Sequence, residues 1–231
     1  VKSDRTKHFT TGRGFCARVS QLWVLSLLSA PSWALEVNIT SHLESVTTLH
    51  QGKPVVIQRN QDPMNTIAAD FMMTSRPCPP FCVQPMQAAE GVETIGELEM
   101  LDYLKRLGAG DQQVLVIDSR TADQVARGTI PGAVNIPWSQ LSDSVGGADP
   151  FTVKELLSRF GVQEWEGIWN FSQAKTLVLF CNGAWCGQSP LNIRALVKYG
   201  YPPARIKWYR GGMQMWETLG LTTVRGDEVS P

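Results

Sequence analysis

Histidine is scarce in this chain: only His8, His42 and His50 among 231 residues. None of them sits in a pattern with a serine or cysteine nucleophile, which argues against Ser–His–Asp and Cys–His catalysis. No apolar run approaches the roughly 20 residues that span a bilayer. The five cysteines never show the two-residue spacing of zinc knuckles or thioredoxin-like sites. Gly108-Ala-Gly110 lacks the rest of a dinucleotide fingerprint and reads as a turn. No metal or organic cofactor is therefore expected. Charge is modest, at 18% of residues, with Lys+Arg 21 balancing Asp+Glu 21. The balance hides an asymmetry, because residues 1–34 carry a formal +4 and the rest −4. A mildly acidic body offers no electrostatic footprint for nucleic acid or an anionic membrane.

What is present starts with an address. Lys2, Arg5, Lys7, Arg13 and Arg18 precede the apolar run Leu22–Ala30, and small residues follow at Ser32 and Ala34. A basic region, a short apolar core and small residues at a cleavage position read as a secretory signal peptide over 1–34, predicting a periplasmic or secreted bacterial protein. Its removal takes Cys16 away and leaves two close pairs, Cys78/Cys82 and Cys181/Cys186. In an oxidising compartment such pairs tend toward disulfides. For Cys78/Cys82 a structural disulfide and a redox shuttle are both open.

The apolar content of 43% is ordinary for a globular chain. Residues 35–89 read as an N-terminal extension whose first part, to about residue 75, holds a few strands and turns and carries no assignable chemistry. It ends in the stiff linker Arg76-Pro-Cys-Pro-Pro-Phe-Cys82. From about residue 90 strands and helices alternate. Thr94 with Glu97 and Thr152 with Glu155 have capping-box spacing, and Leu98, Leu101, Leu104 and Leu107 follow a helical period. Val114–Ile117, Ala133–Ile136 and Thr176–Phe180 are apolar runs typical of strands buried on both faces. Ser189-Pro190 reads as an N-cap and first turn of a helix that stops at Gly200. Arg205–Tyr209 and Met213–Leu219 read as a last strand and helix. This alternation predicts an α/β fold with a parallel sheet covered on both faces.

The chemistry concentrates in Cys181-Asn-Gly-Ala-Trp-Cys-Gly-Gln-Ser189. A cysteine directly after a buried strand and just before a helix stands where ligands bind in open parallel sheets. Backbone N–H groups of Asn182, Gly183, Ala184, Trp185, Cys186, Gly187, Gln188 and Ser189, with the helix N-terminus, could face its sulfur and favour a thiolate or persulfide.

At these residues the chain resembles the rhodanese (sulfurtransferase) family, over about 90–224, with 225–231 left as a tail. Asp118-Ser-Arg120, Gly128-Thr-Ile-Pro-Gly-Ala133 and Asn135-Ile-Pro137 are similar to the family's first strand and its Gly-His-Ile-Pro-Gly-Ala turn. Tyr199-Gly200 and Arg210-Gly-Gly-Met-Gln-Met-Trp216 are similar to its closing strand and Gly-Gly…Trp helix. The resemblance implies a central parallel sheet and a persulfide-forming cysteine at Cys181. It also implies transfer of sulfane sulfur from a small donor or persulfidated protein to a thiol acceptor. Asp118 and Arg120 are candidates for orienting the loop.

Several residues depart from the family pattern. Thr129 replaces the common His, and Gln124-Val125 an acidic–aromatic pair. The loop is about two residues longer than usual and holds no Arg or Lys, which counts against thiosulfate, a dianion best met by cations. Gly187 stands where related phosphatases and arsenate reductases carry Arg. Trp185 either covers an apolar donor or partner, or buries itself against Trp165 or Trp169. Cys186 is either a resolving thiol or an inert neighbour. Besides sulfur transfer, two other readings stay open: a thiol–disulfide oxidoreductase or redox sensor using Cys181/Cys186, and a silent binding module.

Overall fold

The computed structural model describes residues 36–142 and 148–225. The expected signal peptide 1–34, and the expected tail beyond Arg225, lie outside the described residues. An antiparallel hairpin comes first, β1 (Ser45–His50) and β2 (Lys53–Gln58), then a single turn, α1 (Ala69–Met72). The body follows as β3 (Glu93–Ile95), α2 (Glu97–Gly108), β4 (Val114–Asp118), α3 (Ala122–Arg127), β5 (Val134–Asn135) and α4 (Pro150–Arg159). It continues with the hairpin β6 (Gln163–Trp165) and β7 (Ile168–Asn170), then β8 (Thr176–Phe180), α5 (Gln188–Lys198), β9 (Ile206–Tyr209) and α6 (Gly212–Thr218). Strands β3, β9, β8, β4 and β5 form, in that order, a parallel five-stranded sheet.

Alternation along the strands splits the core in two, because successive side chains of a strand point to opposite faces. Ile117, Leu177, Leu179, Ile206 and Trp208 meet α4 and α5 on one face, through Leu156, Leu157, Ile193 and Leu196. Val114, Val116, Val178, Phe180 and Tyr209 face α2 and α6, through Met100, Leu104, Met213 and Trp216. Val46 of β1 and Ile57 of β2 join this second face, so the hairpin is part of the core. Both faces of the sheet are covered, as the apolar runs predicted.

The helix starts are shifted from the expected ones. Helix α2 is capped by Gly96, whose N–H donates to Glu99 Oε2, and not by the Thr94/Glu97 pair. Thr94 is instead drawn into β3 opposite Trp208, and its hydroxyl donates to the Met86 carbonyl. The buried stripe of α2 is Met100, Leu101 and Leu104, with Leu98 half exposed. Helix α4 is capped by Asp149, which accepts from Thr152 N and Oγ1, so Thr152 lies inside the first turn and Glu155 caps nothing. Helix α5 begins at Gln188 with Gly187 before it; Ser189 is already helical and turns its hydroxyl inward.

Candidate functional site

The loop 181–187 leaves the C-terminal end of β8 and enters α5, between the two halves of the core. Its first residues are fastened to α6: Met213 N donates to Cys181 O at 3.0 Å and Gln214 N to Asn182 O at 2.9 Å. The approach depends on Gly212, whose φ is +56°; a Cβ there would lie 2.4 Å from Cys181 O and 2.7 Å from Gly183 N. This is the physical reason for the glycine at 212. Farther along, Cys186 N donates to Gly183 O at 2.9 Å, so the loop folds back on itself and sets Cys186 beside Cys181.

Both thiols are free and buried, at 2% exposure for Cys181 and 4% for Cys186, but their surroundings differ. Cys181 Sγ accepts from Ser189 Oγ at 3.1 Å and donates to Cys186 O at 3.5 Å. Trp208 Nε1 in turn donates to Ser189 Oγ at 3.0 Å and fixes that hydroxyl. Burial pushes the Cys181 thiol well above its ordinary range, the Cys186 sulfur beside it adds to the rise, and Ser189 opposes it only in part. For Cys186 burial also raises the thiol, but the neighbouring Cys181 thiol and the N–H groups of Asn182 and Gln188 outweigh it and hold the thiol below its usual range. Gln188 N opens α5, so the helix N-terminus acts on Cys186. Asn182 Nδ2 lies 3.8 Å from the same sulfur. The helix N-terminus is thus shared, with Gln188 N facing the Cys186 sulfur and Ser189 N the Cys181 sulfur.

A cavity of about 530 Å³ opens over Cys186 and does not reach Cys181. Its walls include Trp138, Leu191 and Gln188, and also Asp70, Phe71, Arg76 and Phe81 from the N-terminal extension. Cys78 and Cys82 are joined by a disulfide. The stretch they close is no free linker, since Gln84 N donates to Ala184 O at 2.8 Å and Arg210 Nη2 to Gln84 O at 2.8 Å. Trp185 does not meet Trp165 or Trp169. It packs edge-on to Phe81 at 5.6 Å, lies under the Arg76 guanidinium at 4.0 Å and donates Nε1 to Gln214 Oε1 at 2.7 Å. The loop has no cation of its own, and the structure supplies one from outside it, so the argument against anionic donors from loop composition alone does not hold. The sequence signal for Arg76 was its place at the edge of a proline-stiffened, disulfide-closed stretch.

Asp118 and Arg120 form a buried ion pair, with Arg120 Nε 2.9 Å and Nη2 2.6 Å from carboxylate oxygens. Thr129 Oγ1 donates to Asp118 Oδ2 at 2.7 Å, and Arg120 Nη2 also reaches Gly128 O at 2.6 Å. The pair therefore ties the end of β4 to the turn at 128–129, and Arg120 forms part of the cavity wall. Contact between this wall and the thiol loop runs through Gln188 Nε2, which donates to Gln124 Oε1 at 3.3 Å. Among the described residues no group of three His, Cys, Asp or Glu side chains could hold a metal ion. No helix among them is long and apolar enough to cross a membrane.

The family model described as a rhodanese-like domain matches residues 100–219. An HTH-type transcriptional regulator of Mycobacterium tuberculosis is 26% identical over 128 residues, which are 55% of this chain and 44% of that protein. The chain thus spans less than half the length of that curated relative. Among solved structures, the human single-domain sulfurtransferase is 23% identical, covering 55% of this chain and 97% of its own, with a TM-score of 0.37. A thiosulfate sulfurtransferase from Pseudomonas aeruginosa is 18% identical, covering 61% of this chain and 22% of its own, with a TM-score of 0.40.

Proposed function

The chain belongs to the rhodanese-like family, and from that premise we propose that it is a sulfurtransferase whose sulfur enters on Cys186 rather than Cys181. The observation that carries this reading is the site's layering. Cys186 lines the cavity and receives the Gln188 N–H that opens α5, while Cys181 lies beneath it against the hydroxyl and N–H of Ser189. In the loading step the Cys186 thiolate attacks the outer sulfur of a donor R–S–SH. The donor's S–S bond breaks, R–S⁻ leaves with the electron pair, and Cys186–S–SH forms. An acceptor thiolate then takes the outer sulfur and restores the Cys186 thiolate, a covalent relay with ping-pong kinetics. Cys181 is the resolving thiol. Its attack on the inner sulfur of the persulfide would release hydrogen sulfide and leave a Cys181–Cys186 disulfide, which a dithiol reductant must reopen.

The test is intact mass after incubation with a persulfide donor, for the wild type and for Cys181→Ser and Cys186→Ser. A gain of one sulfur, about 32 Da, that cyanide discharges and that is lost in Cys186→Ser supports the proposal. Loss of the gain only in Cys181→Ser returns the sulfur to Cys181 and leaves sulfur transfer standing. A loss of two hydrogens in the wild type that needs both cysteines, with no sulfur gained even in Cys181→Ser, where no second thiol can discharge a persulfide, would replace it by a thiol–disulfide oxidoreductase. No change in any protein would leave a binding module.

Export belongs to the same proposal, on the strength of the basic and apolar pattern of residues 1–34. N-terminal sequencing of the protein from a periplasmic fraction tests it; a chain still carrying Lys2–Ala34 there would refute cleavage.

A further inference from the structure

The cavity over Cys186 is walled by three arginines, and two of them are already spent. Arg120 is paired with Asp118, and Arg127 with Asp70 at 2.7 Å and Asp123 at 3.5 Å. Arg127 also neutralises the one carboxylate in the cavity wall, that of Asp70. Arg76 is different. Among the described residues it has no carboxylate partner; Nη2 donates to the Asp70 carbonyl at 2.7 Å, and Nε is buried with no partner at all. A guanidinium has five donors, and a buried donor left without an acceptor is costly. Its Cζ lies 4.0 Å from the centre of the Trp185 ring and 5.7 Å from that of Phe81, so the charge is placed next to the residue that precedes the reactive cysteine.

The size and lining of the cavity say what anion would fit. At about 530 Å³ it lies within the range of organic-ligand pockets and far exceeds a five-heavy-atom oxyanion. Phe71, Phe81, Trp138, Trp185 and Leu191 give it apolar walls that a small, strongly hydrated dianion would not use. Resting on the sulfur-transfer reading above, we propose that the site takes a carboxylate-bearing organic persulfide, with its carboxylate on Arg76, its carbon body against the aromatic walls and its terminal sulfur at Cys186. Arg76 is then a specificity-determining residue supplied by the N-terminal segment, a substitute for the cations missing from the loop.

The experiment measures sulfur loading by intact mass as a function of donor concentration, for wild type and Arg76→Ala. Three donors are used: glutathione persulfide, its diethyl ester with the carboxylates masked, and thiosulfate. The proposal expects wild type to show a half-saturating concentration about 10–100-fold lower for the acid than for the ester, the worth of one charge-assisted contact. Arg76→Ala should lose that preference through KM with kcat kept, while loading from the ester stays at the wild-type level and shows the site still folded. Equal use of acid and ester by wild type overturns the inference, as does an equal loss with both donors in Arg76→Ala. Better loading from thiosulfate than from the acid persulfide also overturns it; in all three cases sulfur transfer itself survives. Loading from no donor overturns both readings together.

Discussion

Replacing Gly212 by alanine tests whether the thiol loop is held by its approach to α6. The residue sits at φ +56°, where an L side chain costs about 1–2 kcal/mol. The new methyl would also meet backbone, not a side chain that can swing away: Cys181 O at 2.4 Å, Gly183 N at 2.7 Å and the Asn182 carbonyl carbon at 2.9 Å. Relieving such overlap by moving backbone adds about 1–3 kcal/mol. The motion needed would separate Met213 N from Cys181 O and Gln214 N from Asn182 O, the two bonds that set the loop. A total of about 2–5 kcal/mol, at roughly 2–4 °C per kcal/mol for a domain of this size, lowers Tm by roughly 4–20 °C. Gly110→Ala separates the two contributions, because Gly110 has φ +84° and open space where its Cβ would go. It should lose only the conformational part and load sulfur normally. The assay is a thermal melt of both variants with sulfur loading by mass. Should Gly212→Ala melt with Gly110→Ala and load at the wild-type rate, the α6 contact does not position the thiols.

Other outcomes follow from the same geometry. Thiolate fraction grows as pH rises through a thiol's pKa, and Cys186 is held low while Cys181 is pushed up. Iodoacetamide labelling read by peptide mass should therefore show an inflection for Cys186 below the usual thiol value of about 8.5, with Cys181 unlabelled there. Equal labelling of the two would contradict the layering. Asp149→Ala should cost about 1 kcal/mol in chemical denaturation and Glu155→Ala almost nothing, because Asp149 alone caps α4; the reverse order would restore the cap read from sequence. Arg120→Ala leaves Asp118 buried at 0% exposure without its partner and should destabilise by about 3–5 kcal/mol. A loss under 1 kcal/mol would mean water replaces the guanidinium.

The sequence was most readable where burial is complete on both sides. Strands β4 and β8 are continuous apolar runs because each lies between two helical layers, and nothing else in the chain competes for that pattern. Strand β3 and the hairpin β6–β7 have only three residues per strand, too few for any period to show. Helix starts were misplaced for a different reason. The motif Thr-x-x-Glu occurs at 94 and at 152, but capping is won by whichever residue the tertiary structure leaves at the boundary. Pairing of β3 with β9 takes Thr94 into the sheet, and Pro150 at the first helical position moves the start of α4 back to Asp149. The cysteine loop was legible as a site, since its place between strand and helix is local. Which of its two sulfurs lines the cavity was not, because that depends on how the two additional residues fold.

That folding also explains why the cation is elsewhere. An α5 N-terminus has few free N–H groups, and here one of them already faces the Cys186 sulfur inside the loop. An anionic donor brought to the same sulfur needs positive charge from a second direction, and a cation within the loop would have to share the space taken by Trp185 and Cys186. Arg76 meets the need from above, because the disulfide-closed stretch lays it on the outer face of Trp185. On this argument the segment before the parallel sheet belongs to the site, joined to it by Gln84 N on Ala184 O and by Phe81 against Trp185. A domain cut to residues 90–224 should then lose Arg76 and half of the aromatic wall of the cavity and, with Val46 and Ile57 of the hairpin gone from the core, be less stable than the full chain. Its sulfur loading should no longer distinguish an acidic persulfide from its ester. If the shortened domain folds and the preference survives, the donor's charge is read by the loop itself and the role given to Arg76 is wrong.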